Sequence, residues 1–271
     1  MIPAAMDYVR ADSAEAAVAA LAEHGEEAKL LAGGQSLIPL MRLRLATPAV
    51  LVDVGRASDL TGISVDGDTV SIGALTTHST LEHSTDLATA CPLLAHVASV
   101  VGDPAVRHRG TLGGSLAHAD PASDLPAAVL ALGGTLVVTG SGGTREVAAT
   151  DFFTGFLESA LAVDEVLTEV RVPVSTAGWA YQKFNRRAQD WAIVGAVVAE
   201  GGAGVALVNM GSTPLRASAV EAAVASGASA AEAAAGAADG TDPPTDTQAD
   251  AAYREHLARV LTARALEAAG V

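Results

Sequence analysis

Two short segments carry the residue types that hold an anion. Lys29 to Leu45 reads KLLAGGQSLIPLMRLRL. An apolar run ends at Leu30-Leu31; Ala32, Gly33-Gly34, Gln35, Ser36 and Leu37 follow; an amphipathic segment then carries Leu40, Met41 and Leu45. The pattern is strand, glycine turn and helix start. Glycine admits positive φ and lets a ligand approach the backbone closely. A helix start adds unpaired N–H groups and partial positive charge. Together these can seat a phosphate or diphosphate. Ser36 suits either an N-cap or a hydroxyl donor to that phosphate. The same residues also suit a tight strand-to-helix turn that binds nothing.

Gly110 to Asp124, GTLGGSLAHADPASD, repeats this grammar: Thr111, one apolar residue, the turn Gly113-Gly114, then Ser115. Two hydroxyl-flanked glycine turns closing on one ligand from both sides suit a dinucleotide diphosphate. Neither segment is GxGxxG, and GxxxxGK(S/T) is absent, so the common nicotinamide and triphosphate sites are not indicated. Arg107, His108 and Arg109 form a basic cluster just before the second turn. They suit either attraction of phosphate or pairing with a nearby acid such as Asp103. Asp120 and Asp124 suit capping of the helix that follows.

AGGQSLIPLMRLRLATPAVLVDV and TLGGSLAHADPASDLPAAVLAL resemble the flavin-binding segments of the FAD subunit of molybdenum hydroxylases. That group includes the medium subunit of aerobic carbon monoxide dehydrogenase and the flavin domain of xanthine dehydrogenase. YQKFNRRAQDWAIVG matches as well, and the resemblance covers essentially the whole chain. It implies an α+β fold: a two-lobed FAD-binding domain of the vanillyl-alcohol oxidase type, then a smaller α+β C-terminal domain of antiparallel sheet and helices. The FAD diphosphate would be held by Ala32 to Ser36, with Leu37 beside them, and by Thr111 to Ser115. Asp124, Leu167, Lys183 and Trp191 would also fall at the cofactor. Asp124 can accept hydrogen bonds from a hydroxyl-rich ligand as well as cap a helix. Lys183 beside the ring would favour an anionic reduced flavin, or else it snorkels at the surface. Trp191 stands where relatives can carry tyrosine; its other reading is packing in the domain core. The molybdenum cofactor and the 2Fe–2S clusters would lie on partner subunits, an iron–sulfur small subunit and a molybdenum large subunit, in a dimer of heterotrimers.

The elements that must position these residues read in order. Strand, helix and strand alternate from Met1 to about Arg56, ending in the apolar run Ala49 to Val54, which suits a buried parallel strand. Asp12 and Glu15 fit a capping box for the first helix. A hairpin over Ile63 to Ile72 turning at Asp66-Gly67-Asp68 opens a second lobe, about 57–174. Cys91 to Val101 is helical; Leu116 to Asp124 is extended; Asp151 to Phe156 is an aromatic-rich loop; Val166 to Val172 is a strand closed by Pro173. Ser175 to Gly178 is the linker, so the domains are 1–174 and 178–271. Trp179 to Met210 is an antiparallel meander. Arg216 to Ala238 is alanine-rich helix broken at Gly227 and Gly236. Ala251 to Ala269 is a terminal helix with Tyr253, Leu257, Val260, Leu261 and Leu266 on one face.

Composition bounds the rest. The chain has 271 residues, is 50% hydrophobic but only 3% aromatic, and carries a net charge of −15. That charge argues against nucleic acid and anionic membranes as partners. No apolar run approaches the roughly 20 residues of a membrane span, and the N-terminus shows no secretory signal, so the expected location is cytoplasmic. The single cysteine, Cys91, cannot hold an iron–sulfur cluster and reads as buried. The histidines show no metal pattern; His78, His83, His108 and His118 read as surface or loop residues. No catalytic nucleophile or triad is expected, since flavin chemistry belongs to the cofactor. Beside the electron-transfer subunit stands a second reading, a free-standing FAD-dependent oxidoreductase with its own small substrate.

Overall fold

In the computed structural model, which describes residues 2–271, the first lobe forms around three short strands. They are β1 (Asp7–Arg10), β2 (Ala28–Leu31) and β3 (Val50–Asp53), with helices α1 (Ala14–His24) and α2 (Leu37–Leu43) between them. The sheet is parallel, with β3 in the middle. The apolar run is central because it alone is buried on both faces. Ala17, Val18, Leu21, Val50 and Val52 share one core. Ser13, not Asp12, caps α1: its hydroxyl accepts from the Ala16 N–H at 3.1 Å. Asp12 lies one residue too early to reach that donor, and it pairs with Arg10 instead.

The second lobe begins with β4 (Ile63–Asp66) and β5 (Thr69–Gly73), the expected hairpin. Six helices follow: α3 (His78–His83), α4 (Thr85–Ala90), α5 (Pro92–Ser99), α6 (Pro104–Arg109), α7 (Leu112–His118) and α8 (Asp124–Ala131). Then come β6 (Thr135–Gly140), β7 (Gly143–Ala148), α9 (Ala149–Phe152), β8 (Phe153–Gly155), β9 (Glu158–Ser159) and β10 (Val166–Pro173). A five-stranded antiparallel sheet runs β4-β5-β10-β6-β7. The aromatic stretch expected as a loop is a helical turn leading into the small β8–β9 hairpin; buried Phe152 and Phe153 fix it by packing edge to face. Residues 116–118, expected extended, belong to α7, whose end is marked by Ala119 in the left-handed region at φ 52°.

The C-terminal part adds an antiparallel meander: β11 (Ala180–Phe184), β12 (Val194–Ala199), β13 (Gly204–Val208) and the short β14 (Leu215–Arg216). Helices α10 (Ser218–Ala225), α11 (Ala230–Ala234) and α12 (Ala251–Ala268) complete it. Alternate residues point to opposite faces of a strand, and here both faces are buried. Val194, Ala196, Val198, Val205 and Leu207 meet the last three helices. Val197, Ala199, Ala206 and Val208 join the core of the second lobe. There they cover α8, all eight residues of which are buried. At Gly204 the approach is so close that a Cβ would lie 2.0 Å from the Ala131 carbonyl oxygen. On α12, Leu257, Leu261 and Leu266 are buried as expected, but Tyr253 is exposed. Among the described residues no helix is long and apolar enough to cross a membrane.

Candidate functional site

A cleft of about 1450 Å³ opens where the two lobes and the loop after β11 meet. Ala32, Gly33, Gly34, Gln35, Ser36 and Leu37 line it from the first lobe. Thr111, Gly113, Gly114, Ser115, Asp124 and Leu167 line it from the second, and Lys183 and Trp191 from the C-terminal part. Every residue singled out in the sequence as cofactor-binding therefore faces one space.

The two glycine pairs do different work. Gly33-Gly34 is the expected turn: it links β2 to α2, with Gly34 at φ 74°, a conformation L side chains resist. Among the described residues, the backbone N–H groups of Gly33, Gly34, Gln35 and Ser36 donate to no backbone carbonyl. Ser36 stands at the N-cap without a side-chain capping bond, which leaves its hydroxyl free for a ligand. Gly113-Gly114, expected as a second turn, lies inside α7. Its N–H groups are already engaged: Gly113 with the Ala74 carbonyl at 2.8 Å, and Gly114 with the Thr111 hydroxyl at 3.1 Å. What these glycines contribute is closeness. A Cβ on Gly113 would stand 2.5 Å from that of Ala74, and one on Gly33 would stand 2.2 Å from the Arg109 carbonyl oxygen. The two segments thus touch backbone to backbone. Sequence pattern showed that glycine was required twice, but not that the second requirement is packing rather than φ.

Asp124 occupies the first turn of α8 and does not cap it; Ser123 holds the N-cap position, also without a side-chain bond. Asp120 does not cap it either, and accepts from the Ala122 N–H at 2.9 Å. The Asp124 carboxylate faces the C-terminal sheet, where Lys183 Nζ donates to Oδ2 at 2.7 Å and the Tyr181 hydroxyl donates to Oδ1. Tyr181 and Lys183 reach it together because they are two apart on one strand. Burial pushes the Asp124 carboxyl up, while Lys183 and Tyr181 pull it down. Burial and the adjacent carboxylate push the Tyr181 phenol well above its ordinary range. The surface reading of Lys183 is thereby corrected: its side chain is 10% exposed and also donates to the Val100 carbonyl at 3.1 Å. Trp191, by contrast, is not packed in a domain core but is 66% exposed at the rim. Leu167 is buried in β10, beside a register shift in its pairing with β6.

None of Arg107, His108 and Arg109 lines the cleft. Arg107 pairs with Glu82 at 2.8 Å, not with Asp103, whose carboxylate caps α6. The histidine reading also fails in one case. His78 is buried, lines the cleft, and leaves Nδ1 without a partner among the described residues. Burial, then the charge of Arg107, lowers its pKa from 6.5 to about 4. The unfolded chain therefore binds a proton that the folded chain refuses between those values, and stability falls as pH drops from 6.5 towards 4. The full window is worth roughly 3 kcal/mol. Urea unfolding of His78→Leu should show a shallower decline than the parent over that range; parallel curves would assign the acid sensitivity elsewhere. The signal in the sequence is weak: Gly110, 32 residues on, leaves room for the imidazole, and a Cβ there would lie 2.7 Å from the ring.

A glycine turn with free N–H groups, a second segment pressed against it, and a buried carboxylate further along fit an elongated, doubly charged and hydroxyl-rich ligand. That is the chemistry of a flavin dinucleotide, and the fold defines an FAD-binding oxidoreductase subunit. Comparison with known proteins agrees. The family described as the FAD-binding domain in molybdopterin dehydrogenase matches residues 4–175, and that of the CO dehydrogenase flavoprotein C-terminal domain matches 179–269. The carbon monoxide dehydrogenase medium chain of Hydrogenophaga pseudoflava is 40% identical over 99% of this chain and 98% of its own. The caffeine dehydrogenase subunit beta of Pseudomonas sp. (strain CBB1) is 38% identical over 82% of this chain and 78% of its own. The solved carbon monoxide dehydrogenase of Hydrogenophaga pseudoflava, in a form lacking the Mo-pyranopterin moiety, superposes with a TM-score of 0.94 at 41% identity, covering 99% of this chain and 98% of that one. The chain belongs to the family of FAD-binding medium subunits of molybdenum hydroxylases.

Proposed function

We propose that this chain passes electrons from iron–sulfur clusters on a partner subunit, through its FAD, to an external acceptor. The observation that carries the reading is a mismatch. The cleft suits a dinucleotide, yet the chain's single cysteine, Cys91, is too few to ligate an iron–sulfur cluster. On this reading the metal chemistry of a molybdenum hydroxylase sits on other chains: an iron–sulfur small subunit and a molybdenum large subunit, with this chain repeated in a dimer of heterotrimers in the cytoplasm. The names of the relatives, dehydrogenases of carbon monoxide and caffeine among them, support this class without choosing a substrate. Within the chain we divide the cofactor-holding part, 1–174, from the C-terminal part, 178–271.

When bound, FAD supplies reversible one- and two-electron transfer. The chain binds and orients it. The free N–H groups of Gly33 to Ser36 and the hydroxyls of Ser36 and Ser115 would hold the diphosphate. Asp124 would accept from a cofactor hydroxyl with the lone pairs that Tyr181 and Lys183 leave over. Because Lys183 is paired with Asp124, its charge reaches a flavin ring largely neutralised. Trp191, a ring without a phenol hydroxyl at the open rim, would offer its face to the cofactor and no proton.

The test is anaerobic reduction by the substrate of the assembly, followed by flavin absorbance. Bleaching should occur only when the iron–sulfur partner is present. Bleaching of the isolated, FAD-loaded chain would favour the free-standing flavoenzyme instead.

A further inference from the structure

Asp124 meets the cofactor cleft, but neither of its hydrogen-bonding partners belongs to the lobes that make most of that cleft. Both come from one face of β11: Lys183 on Oδ2 at 2.7 Å and the Tyr181 hydroxyl on Oδ1. The Tyr181 ring is buried and joins the core of the second lobe. Room for it is made by Gly195, on the neighbouring strand, where a Cβ would stand 2.9 Å from the phenol oxygen. The next residue of the same alternation, Lys183, pairs across β12 with Gly195 and also reaches the end of α5 at the Val100 carbonyl. A buried carboxylate held at both oxygens keeps one orientation and retains lone pairs for a further donor. A phenol donating to a carboxylate also favours its ionised form.

We propose that Tyr181 is a positioning residue of the cofactor site: by holding Asp124 Oδ1, it makes the C-terminal sheet set the orientation and ionisation of the carboxylate that receives the flavin nucleotide. This rests on the reading that the cleft binds FAD through Asp124. The consequence is that the lobes alone do not form a complete site, because the carboxylate is correctly held only when β11 is docked. The charged and titratable groups facing Asp124 are Lys183 and Tyr181, both on β11; the neutral Val100 carbonyl, just past α5, accepts from Lys183. Desolvation raises the carboxyl's pKa, and these two donors oppose it. Removing the phenol hydroxyl takes away part of the opposition, so the carboxyl should gain its proton at a higher pH than in the parent.

The experiment uses the full chain stripped of flavin and titrated with FAD, following flavin fluorescence from mildly acid to neutral pH. Tyr181→Phe keeps the ring in its slot beside Gly195 and deletes one hydroxyl. It should bind FAD about tenfold more weakly at neutral pH, the scale of a lost hydrogen bond to a charged group. The fall of affinity on acidification should begin at a higher pH than in the parent. Asp124→Asn should flatten the pH profile, and adding Tyr181→Phe to it should cost little more. This double variant separates positioning from general loosening. Equal losses from Tyr181→Phe with and without the Asp124→Asn substitution would show that the effect does not run through the carboxylate, and would overturn the proposal. So would an unchanged affinity and pH profile in Tyr181→Phe. A parent chain that takes up no FAD would overturn the cofactor assignment itself, and the proposal with it; that result is distinct from a parent that binds and a variant that matches it.

Discussion

Lys183→Met should cost the folded chain about 3–5 kcal/mol, the usual penalty for removing one partner of a buried ion pair. The side chains of Lys183 and Asp124 are only 10% and 6% exposed, so solvent cannot replace the lost cation. Methionine approximates the volume, and what remains is a carboxylate with one phenol donor. The cost should shrink as pH falls, because a protonated Asp124 no longer needs a counter-charge. The sign follows from linkage: with the folded pKa raised above the unfolded value, the penalty is borne at high pH and relieved on acidification. Asp124→Asn/Lys183→Met should recover much of the loss. The check is urea unfolding of the parent and both variants at two pH values. A Lys183→Met chain as stable as the parent at neutral pH would mean that the pair contributes nothing net.

Gly33→Val has the second large expected effect, on binding more than on folding. A Cβ at Gly33 would fall 2.2 Å from the Arg109 carbonyl oxygen and 2.8 Å from the Gly110 Cα, both backbone atoms that cannot swing aside. The two segments must separate, and the N–H groups of the first turn move away from Thr111 and Ser115. FAD affinity should fall at least roughly a hundredfold, or about 3 kcal/mol. Gly34→Val strains a positive φ, but its nearest obstacle is the flexible Ile38 side chain at 2.7 Å, so its loss should be smaller. Circular dichroism distinguishes local separation from unfolding, and equilibrium dialysis with FAD gives the affinity. Full affinity in Gly33→Val would remove the two-segment clamp.

Much of the fold was legible because its signals are local. The βαβαβ lobe, the hairpin at Gly67 and the meander from β11 to β13 follow from periodicity and turn residues alone. The residues proposed for the cofactor were legible as neighbours: all of them line one cleft. Their partners were not. Glycine at 113 and 114 reads as a turn, yet Thr111 caps a helix there and the small residues answer to Ala74 and Ala32 across the gap. His78 reads as a surface histidine, because nothing nearby in sequence announces that Gly110 will clear a buried space for it. Tyr181 reads only as part of a strand of the meander. Only its register against β12 and the docking of α8 bring it to Asp124. In each case the missing information is a contact between residues far apart in the chain, which local propensity does not encode.

The complete burial of α8 bears on how the chain is made. Its outer face is covered by β12 and β13, which leave the ribosome about 80 residues later, or roughly 4–15 s at ordinary rates of synthesis. Through that interval an apolar helix stands uncovered at the heart of the nascent lobe, beside an aspartate still lacking its lysine. Until that sheet docks, the helix is exposed apolar surface of the aggregation-prone kind, and the site around Asp124 is not yet assembled.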